Sequence, residues 1–247
     1  MKNIIFTTLE KKPFVLGNFV DVVQFLYKKN NSLATQIILP CSFHDLALVA
    51  NGYNYDGIDY CTSDSMWLTY FFCLKYGKKI ERVYGPSLMR AILNKKQHAV
   101  FKNRHFFLAA NTETNKKISQ LLIQKYPNLD AHYDFLSKKL SKQAEKTQLK
   151  LILQQKPNFI WLGIGSPKQI EIANWLKSHS KGIKIFCVGA AFDFISGNKR
   201  QAPLFIQQIG LEWLFRLCNE PSRLWRRYLI IIPSYLLRLL RKSVFKK

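Results

Sequence analysis

The chain has 247 residues, of which 48% are hydrophobic and 14% aromatic, and it carries 38 Lys and Arg against 15 Asp and Glu. This length and composition are typical of one large or two small globular domains, and they exclude a disordered chain or a scaffold held together by disulfides. The formal net charge of +23 predicts an anionic partner, for which nucleic acid, an anionic lipid surface and a phosphate-bearing substrate are the alternatives.

The five cysteines predict a reducing compartment. Their number is odd, no Cys-x-x-Cys pair occurs and their neighbours are apolar, so we expect free thiols in the core of a cytosolic protein. The apolar stretch near the N-terminus is too short for a signal peptide, and no run reaches the ~18 apolar residues of a membrane-spanning helix. The sequence therefore predicts a protein that is soluble or lies on a membrane surface.

Short apolar runs alternate with helical patterns through the first 198 residues. The predicted strands are Gln36 to Leu39, Ile58 to Cys61, His105 to Ala109, Asn158 to Ile164 and Ile183 to Val188. The predicted helices are Phe43 to Ala50, Ser65 to Tyr76, Ser87 to Leu93, Thr114 to Tyr126, Ser137 to Gln154 and Pro167 to Lys177. This alternation favours an α/β fold that is Rossmann-like and layered, with a largely parallel sheet.

The pattern changes near residue 198, where we place a boundary between an α/β domain, residues 1–198, and a basic helical C-terminal appendage, residues 199–247. The appendage carries eleven basic residues against two acidic ones, and most of the basic residues are Arg. Its apolar residues recur every three or four positions from Leu224 to Leu239, which predicts an amphipathic helix that Pro233 kinks or splits. Such a helix suits an anionic membrane surface, and packing on its own domain or on a partner is an equal alternative.

The segment Gly163-Ile-Gly165-Ser166-Pro167-Lys168-Gln169 follows a predicted strand and leads into a predicted helix. Glycines let the backbone approach a ligand closely, and the N-terminus of a helix attracts phosphate. The segment differs from the dinucleotide-binding fingerprint because Lys168 stands where the third glycine belongs, and it lacks the spacing of a P-loop. A nucleotide site and a plain structural turn both fit these residues.

Polar residues also follow other predicted strands. Asp193 fits either a ligand hydroxyl or the cap of a local turn. Asp64 fits either a general base at the carboxyl edge of the sheet or an ordinary helix N-cap. Ser42 and Asp45 have the spacing of a capping box, and the histidines show no metal-ligand spacing. A metal-independent reaction is therefore the simpler expectation.

Several segments together resemble the WecG/TagA/CpsF glycosyltransferases. Order and spacing match from residue 36 to residue 230, and the segments that carry the resemblance are Arg82 to Met89, Gly163 to Gln169, Val188 to Gly197, Arg200 to Pro203, Ile209 to Leu217 and Glu220 to Leu229. The resemblance implies an inverting glycosyltransferase that moves an N-acetylmannosamine-type or related sugar from a UDP donor to a polyprenyl-diphosphate-linked saccharide. It also implies a peripheral enzyme of cell-envelope polysaccharide synthesis, on the cytoplasmic face of the membrane.

The resemblance also assigns roles to residues. Asp64 holds the place of the family's general base. The residues that match the donor pocket are Ser42, where the family usually has Asn, and Gly163, Gly165, Lys168, Gln169 and Asp193. The appendage residues that match positions facing the lipid diphosphate and the membrane are Arg216, Arg223, Arg226 and Arg227. The implied partners are a UDP-sugar, a lipid-linked acceptor and an anionic membrane surface, with no nucleic acid, metal or cofactor.

Two other functions explain part of the pattern. A non-catalytic basic module that binds nucleic acid or membrane would explain the charge, and on nucleic acid it would show a steep salt dependence. A nucleotide-dependent oxidoreductase would explain the strand-to-helix turn, but it requires the third glycine that Lys168 replaces. The sequence leaves open which sugar is transferred and whether the chain self-associates.

Overall fold

A computed structural model describes residues 4–28, 33–94, 103–137 and 140–244 of the chain. Within these ranges eight strands form one sheet in the order β1-β2-β4-β3-β8-β7-β5-β6, in which β1 is antiparallel to β2 and the other neighbouring pairs are parallel. The strands are β1 Ile5–Leu9, β2 Lys12–Leu16, β3 Gln36–Cys41, β4 Tyr60–Ser63, β5 His105–Ala109, β6 Ala131–Phe135, β7 Phe159–Gly163 and β8 Lys184–Cys187. The predicted α/β fold with a largely parallel sheet is confirmed.

Helices connect these strands and pack on both faces of the sheet. They are α1 Phe19–Tyr27, α2 Phe43–Ala50, α3 Met66–Tyr76, α4 Gly85–Leu93, α5 Thr112–Lys125, α6 Lys142–Gln154, α7 Lys168–Ser178 and the short α8 Ala191–Ile195. All six helices predicted for this part occur, but α6 begins at Lys142 rather than Ser137. Residues 138 and 139 of that prediction lie outside the described ranges.

The apolar core lies on both faces of the sheet, so the buried strands are continuously apolar. Along β3, Ile37 and Leu39 belong to one cluster of buried residues and Ile38 to the other. Along β7, Ile160 belongs to the first cluster and Trp161 to the second. Helices α2, α3 and α7 cover the first cluster, and α1, α4 and α5 cover the second, which gives three layers.

The sequence patterns did not predict β1, β2, α1 or β6. Glu10 and Lys11 form the two-residue turn between β1 and β2 with φ of 48° and 60°, the left-handed backbone of a type I′ turn that is usually built from Asn and Gly. Glu and Lys are not among the residue types preferred in such turns, so the sequence does not indicate this hairpin. Strand β6 is partly exposed along its length and contains the polar residues His132 and Asp134, so it lacks the apolar run of an inner strand.

The five cysteines are free thiols. Cys41, Cys61 and Cys187 are buried and Cys73 is partly buried, whereas Cys218 is exposed. The prediction of a core position is therefore wrong for Cys218, because this residue lies on the outer side of a short amphipathic helix near the surface.

The C-terminal appendage is helical over most of its described length. Its elements are α9 Leu204–Gln208, α10 Glu212–Asn219, α11 Pro221–Trp225, a π-helical turn Arg226–Ile231 and α12 Ile232–Val244, and residues 245–247 lie outside the described ranges. The helix runs through Pro233, but its hydrogen bonding changes just before it: the N–H of Ile232 donates to the carbonyl of Arg227, five residues back. Pro233 has no N–H with which to continue this pattern.

The appendage packs on the α/β domain through part of its apolar face. Leu224 and Tyr235 are only 2% and 4% exposed, and α12 lies against α2. Leu229, Leu237 and Leu240 on the same appendage are exposed. Packing on the chain's own domain therefore accounts for some of the apolar residues of the helix and not for all of them. Within the described ranges, no helix is both long and apolar enough to cross a bilayer.

Candidate active site

A cleft of about 620 Å³ lies at the carboxyl edge of the sheet, where β3, β4, β7 and β8 end. Strand β3 has β4 on one side and β8 on the other, so the two halves of the chain meet at a point where α/β sheets commonly bind ligands. One wall consists of loops that follow these strands. The other wall comes from the appendage and contributes Lys199, Glu212, Arg216, Arg223 and Arg227.

Asp64 follows β4 directly and lines the cleft. Its N–H donates to the carbonyl of Cys41 at 2.9 Å, and its Oδ1 accepts a hydrogen bond from the N–H of Gly85 at 3.2 Å. Gly85 is the first residue of α4, so this N–H is one of the donors that a helix leaves unpaired at its N-terminus. The N-cap of α3 is Ser65, whose side chain accepts from the N–H of Leu68. Asp64 is thus not the cap, and its carboxylate faces the cleft.

The pKa of Asp64 is raised above its ordinary value. Burial is the largest cause, and the negative charges of Glu212 and Asp45 add to it. The guanidinium of Arg82 and the N–H of Gly85 act in the opposite direction. A carboxylate with a raised pKa binds a proton more strongly than an exposed one, which suits a general base.

Arg82 joins Asp64 to the appendage. Its Nε donates to the carbonyl of Asp64, and its guanidinium forms an ion pair with Glu212 at 2.7 Å in which the two side chains are 11% and 12% exposed. The guanidinium also stacks on the ring of Tyr84, 4.0 Å from its centroid. The hydroxyl of Tyr84 accepts a hydrogen bond from Nε2 of Gln201 at 2.6 Å. Two appendage residues, Gln201 and Glu212, therefore hold the segment beside Asp64.

The buried carboxylate of Asp45 connects the end of β3 to the end of β7. It accepts hydrogen bonds from the N–H and Oγ of Ser42 at 3.0 and 2.7 Å and from Oγ of Ser166 at 2.7 Å. Gln169 extends the network, since its Nε2 donates to Ser166 Oγ and its Oε1 accepts from the N–H of Gly165, each at 3.2 Å. The predicted capping box of Ser42 and Asp45 is present, and the same carboxylate also fixes the glycine-containing turn.

The two glycines of this turn have different roles. A Cβ at Gly163 would lie 2.5 Å from the ring of Phe192, so Gly163 allows the end of β7 to pack against that ring. Gly165 has a φ of 95°, which disfavours other residues, and in the described part of the chain no atom would lie within 4 Å of a Cβ there. Both glycines line the cleft, and the open space lies at Gly165.

Asp193 and Lys199 lie together on the opposite side of this turn. Asp193 Oδ1 accepts a hydrogen bond from the hydroxyl of Thr114 at 2.9 Å, and its Oδ2 is 3.4 Å from Nζ of Lys199. Lys199 also pairs with Glu220 at 2.9 Å. Asp193 is thus a half-buried carboxylate of the cleft whose orientation is set by Thr114 and Lys199.

Three predicted arginines reach the cleft, and two of them have unused donors. A terminal nitrogen of Arg227 donates to Ser42 Oγ at 3.3 Å. Within the described residues, the buried Nε of Arg227 and that of Arg216 have no hydrogen-bond partner. Arg223 forms a two-point pair with Glu220 at 2.6 and 2.9 Å. A buried N–H without a partner is costly, so Arg216 and Arg227 are suited to an anionic ligand.

Two predicted site residues are not brought to the cleft. Lys168 pairs with Glu145 at 2.8 Å and with Glu171 at 3.5 Å on the outer side of α7. Arg226 is exposed and its guanidinium lies 5.3 Å from the ring of Trp225. Neither side chain is among those that line the cleft, because each projects from the far side of its helical turn.

Asp45, Arg82, Lys199 and Glu212 are among the cleft residues that the sequence did not assign to the site. Arg82 and Glu212 both lie in segments that resemble the glycosyltransferase family, which was the only available signal for them. His44 also lines the cleft. Burial and the nearby Arg227 lower its pKa to about 4, against the effect of Asp45, so its imidazole is neutral at pH 7.

Comparisons with known proteins match the chain to one glycosyltransferase family. A sequence model of the Glycosyl transferase WecG/TagA/CpsF family matches residues 34–247. The chain is also similar to proteins named N-acetylglucosaminyldiphosphoundecaprenol N-acetyl-beta-D-mannosaminyltransferase from Staphylococcus aureus strains MRSA252, MW2 and NCTC 8325 / PS 47. Each is 28% identical over 170 residues, which are 67% of this chain and 63% of the relative. The match therefore spans less than two thirds of the length of these curated relatives.

Proposed function

Because the chain belongs to the WecG/TagA/CpsF glycosyltransferase family, we propose that it is an inverting, metal-independent glycosyltransferase. Its donor is a UDP-sugar of the N-acetylmannosamine type or a related sugar, and its acceptor is a saccharide linked to polyprenyl diphosphate. The product serves the synthesis of a cell-envelope polysaccharide. The names of the Staphylococcus aureus relatives, which contain both such a sugar and a lipid diphosphate, support these substrate classes.

In this proposal Asp64 is the general base. Its carboxylate takes the proton of the acceptor hydroxyl while that oxygen forms a bond to the anomeric carbon of the donor sugar. The bond between the anomeric carbon and the phosphate oxygen of UDP breaks on the opposite face, so the configuration at this carbon inverts. The raised pKa of Asp64 makes the carboxylate a stronger proton acceptor than an exposed aspartate.

The appendage wall supplies positive charge to the diphosphates. UDP gains negative charge as it leaves, and fixed donors that point at this charge lower the barrier. We assign this role to the guanidinium groups of Arg216, Arg223 and Arg227, which line the cleft. The diphosphate of the lipid-linked acceptor approaches from the same side, where the appendage borders the cleft. The donor sugar lies toward Gly165, Gln169 and Asp193.

We place the enzyme at the cytoplasmic surface of the membrane as a peripheral protein, since a polyprenyl-linked acceptor stays in the bilayer. The exposed leucines of the appendage, Leu229, Leu237 and Leu240, support contact with lipid, and its arginines suit anionic headgroups.

One observation carries the proposal: the half-buried carboxylate of Asp64, with its raised pKa, shares the cleft with three arginines, two of which have a buried Nε–H without a partner among the described residues. We predict that Asp64→Asn lowers the transfer rate by about 10²- to 10⁴-fold, the usual contribution of a general base. Binding of UDP, followed by calorimetry, should change little because the amide has nearly the same shape. The rate is measured as UDP released in the presence of lipid-linked acceptor.

The matched control is Asp130→Asn, which removes a carboxylate that pairs with Arg104 at the surface and should leave the rate unchanged. Full activity in Asp64→Asn would remove Asp64 from the mechanism. Equal losses in both variants would show that Asp64 acts through stability rather than through chemistry.

A further inference from the structure

Helix α3 exposes an apolar stripe. Trp67, Tyr70, Phe71 and Leu74 recur at spacings of three and four residues, which places them on one helix face. All four are exposed, and Leu74 is 88% exposed. The opposite face of α3 is packed in the core through Leu68 and Phe72. An amphipathic helix normally turns its apolar stripe toward the core, so α3 is also apolar on a face that its own fold covers only in part.

Helix α9 extends this apolar surface. Nε1 of Trp67 donates to the carbonyl of Gly210 at 3.0 Å, and the hydroxyl of Tyr70 donates to the carbonyl of Gln208. These bonds hold the end of α9 beside α3. Three further apolar side chains are exposed there, Leu204, Phe205 and Ile209, with Leu204 73% exposed. We call these seven residues the α3–α9 surface.

The charged residues within the two segments that form the α3–α9 surface are basic. Residues 65–80 contain Lys75, Lys78 and Lys79 and no acidic residue, and residues 200–211 contain Arg200 and no acidic residue. The first acidic side chain beyond α9 is Glu212, which is paired with Arg82 and nearly buried. An apolar patch with aromatic residues and a basic border matches an anionic bilayer surface, where lysines reach the phosphates.

We propose that the α3–α9 surface is a second membrane-docking site, formed mainly by the α/β domain, which enters the headgroup region of an anionic bilayer. A second copy of this chain is a poorer occupant, because it would bring the same basic border against this one. The inference extends the proposed function and rests on it in one respect: the lipid-linked acceptor is what brings the protein to a membrane. Asp64 lies immediately before Ser65, the N-cap of α3, so the docking helix begins beside the cleft.

The test uses the full chain with Leu74→Glu and Leu204→Glu together. Both side chains are among the most exposed apolar ones, so the substitutions leave the core and the bonds of Trp67 and Tyr70 in place. Co-sedimentation with vesicles of phosphatidylglycerol and phosphatidylcholine should show partitioning weakened by roughly tenfold or more, since two apolar anchors become negative charges. The appendage still contributes, so some binding should remain.

The matched control is Ile123→Glu together with Leu151→Glu, which places the same two charges at 58% and 54% exposed side chains on α5 and α6 and should bind vesicles like the unmodified chain. Equal binding by the Leu74/Leu204 variant and the unmodified chain would overturn the proposal. The proposal would also be overturned if the Leu74/Leu204 variant bound vesicles normally and had lost only self-association, or only binding to single-stranded RNA, in sedimentation without lipid.

A second readout separates this inference from the proposed function. With a short-chain, water-soluble acceptor, the Leu74/Leu204 variant should transfer sugar at the rate of the unmodified chain. If vesicle binding falls and neither protein transfers sugar from any UDP donor, the docking surface stands and the proposed function fails. If transfer occurs and vesicle binding by the variant is unchanged, the proposed function stands and the docking surface fails.

Discussion

Asp64 is surrounded by groups that change its affinity for a proton in opposite directions. Burial, Glu212 and Asp45 raise its pKa, and Arg82 and the N–H of Gly85 lower it, with a net rise. A general base works only when it is ionised, so the rate falls as the pH falls through this pKa. The acid limb of kcat/KM against pH should therefore lie above the ordinary aspartate value of about 3.9.

Glu212→Gln tests this balance. The substitution removes a negative charge that raises the pKa of Asp64 and frees Arg82, which lowers it. The acid limb should move to lower pH, and kcat at neutral pH should fall because the base is weaker. A pH profile of transfer distinguishes this from a loss of folding, which would lower the rate at every pH alike.

The matched control for this prediction is Glu145→Gln. Glu145 forms an ion pair with Lys168 at 2.8 Å outside the cleft and is also largely buried, so its loss should leave the acid limb in place. An unmoved limb in Glu212→Gln, or an equal shift in the control, would contradict the coupling between the appendage and the base.

At the residue scale, the sequence predicted positions that follow the ends of parallel strands. Asp64, Ser42 and Gln169 were assigned to the site because their segments resemble the glycosyltransferase family, and all three line the cleft. The pair of Arg82 and Glu212 was not assigned, since no local pattern links residues so far apart in the chain. Lys168 shows the opposite error: its place in the motif is right, but the direction of a side chain on a helix depends on packing.

At the scale of elements, the turn after β7 depends on a close contact with α8. A Cβ at Gly163 would lie 2.5 Å from the ring of Phe192, and this ring is fully buried. Gly163→Ala should therefore lower the free energy of unfolding by about 1–3 kcal/mol, the usual cost of overpacking a core. Urea unfolding followed by circular dichroism measures this loss.

Gly57→Ala is the comparison for Gly163→Ala. A Cβ at Gly57 would meet the amide oxygen of Asn174 at 2.1 Å, and this end of a flexible side chain can rotate away. The loss should be clearly smaller than for Gly163→Ala. A larger loss in Gly57→Ala would mean that Phe192 yields more easily than its packing indicates.

Elements differed in how well the sequence predicted them. The inner strands and their helices were predicted because burial on both sheet faces leaves continuous apolar runs. The β1–β2 hairpin was missed because Glu10 and Lys11 adopt a turn conformation that their residue types do not signal. The π-helical turn before Pro233 was also missed. A proline in the sequence indicates that the helix is disturbed, but it does not indicate that the hydrogen bonds before it change to a spacing of five residues.

At the scale of the whole molecule, part of the net charge of +23 lies at two features. Arginines of the appendage line one wall of the cleft, and lysines at the end of α3 border the α3–α9 surface. Diphosphates and lipid headgroups carry the same chemical group, so one sign of charge can serve the substrate site and the docking surface alike. The sequence predicted the first feature from the Arg-rich tail. The second required the fold, because α3 and α9 are distant in sequence.

The most direct test of the account is sugar transfer by the full chain. The protein is incubated with UDP-N-acetylmannosamine and N-acetylglucosaminyl diphosphoundecaprenol, with and without EDTA, and the lipid product is analysed by mass spectrometry. We predict a product heavier by one N-acetylhexosamine residue, with release of UDP and an equal yield in EDTA. Absence of transfer with this donor and with a panel of other UDP-sugars, for a folded chain that binds vesicles, would contradict the proposed function.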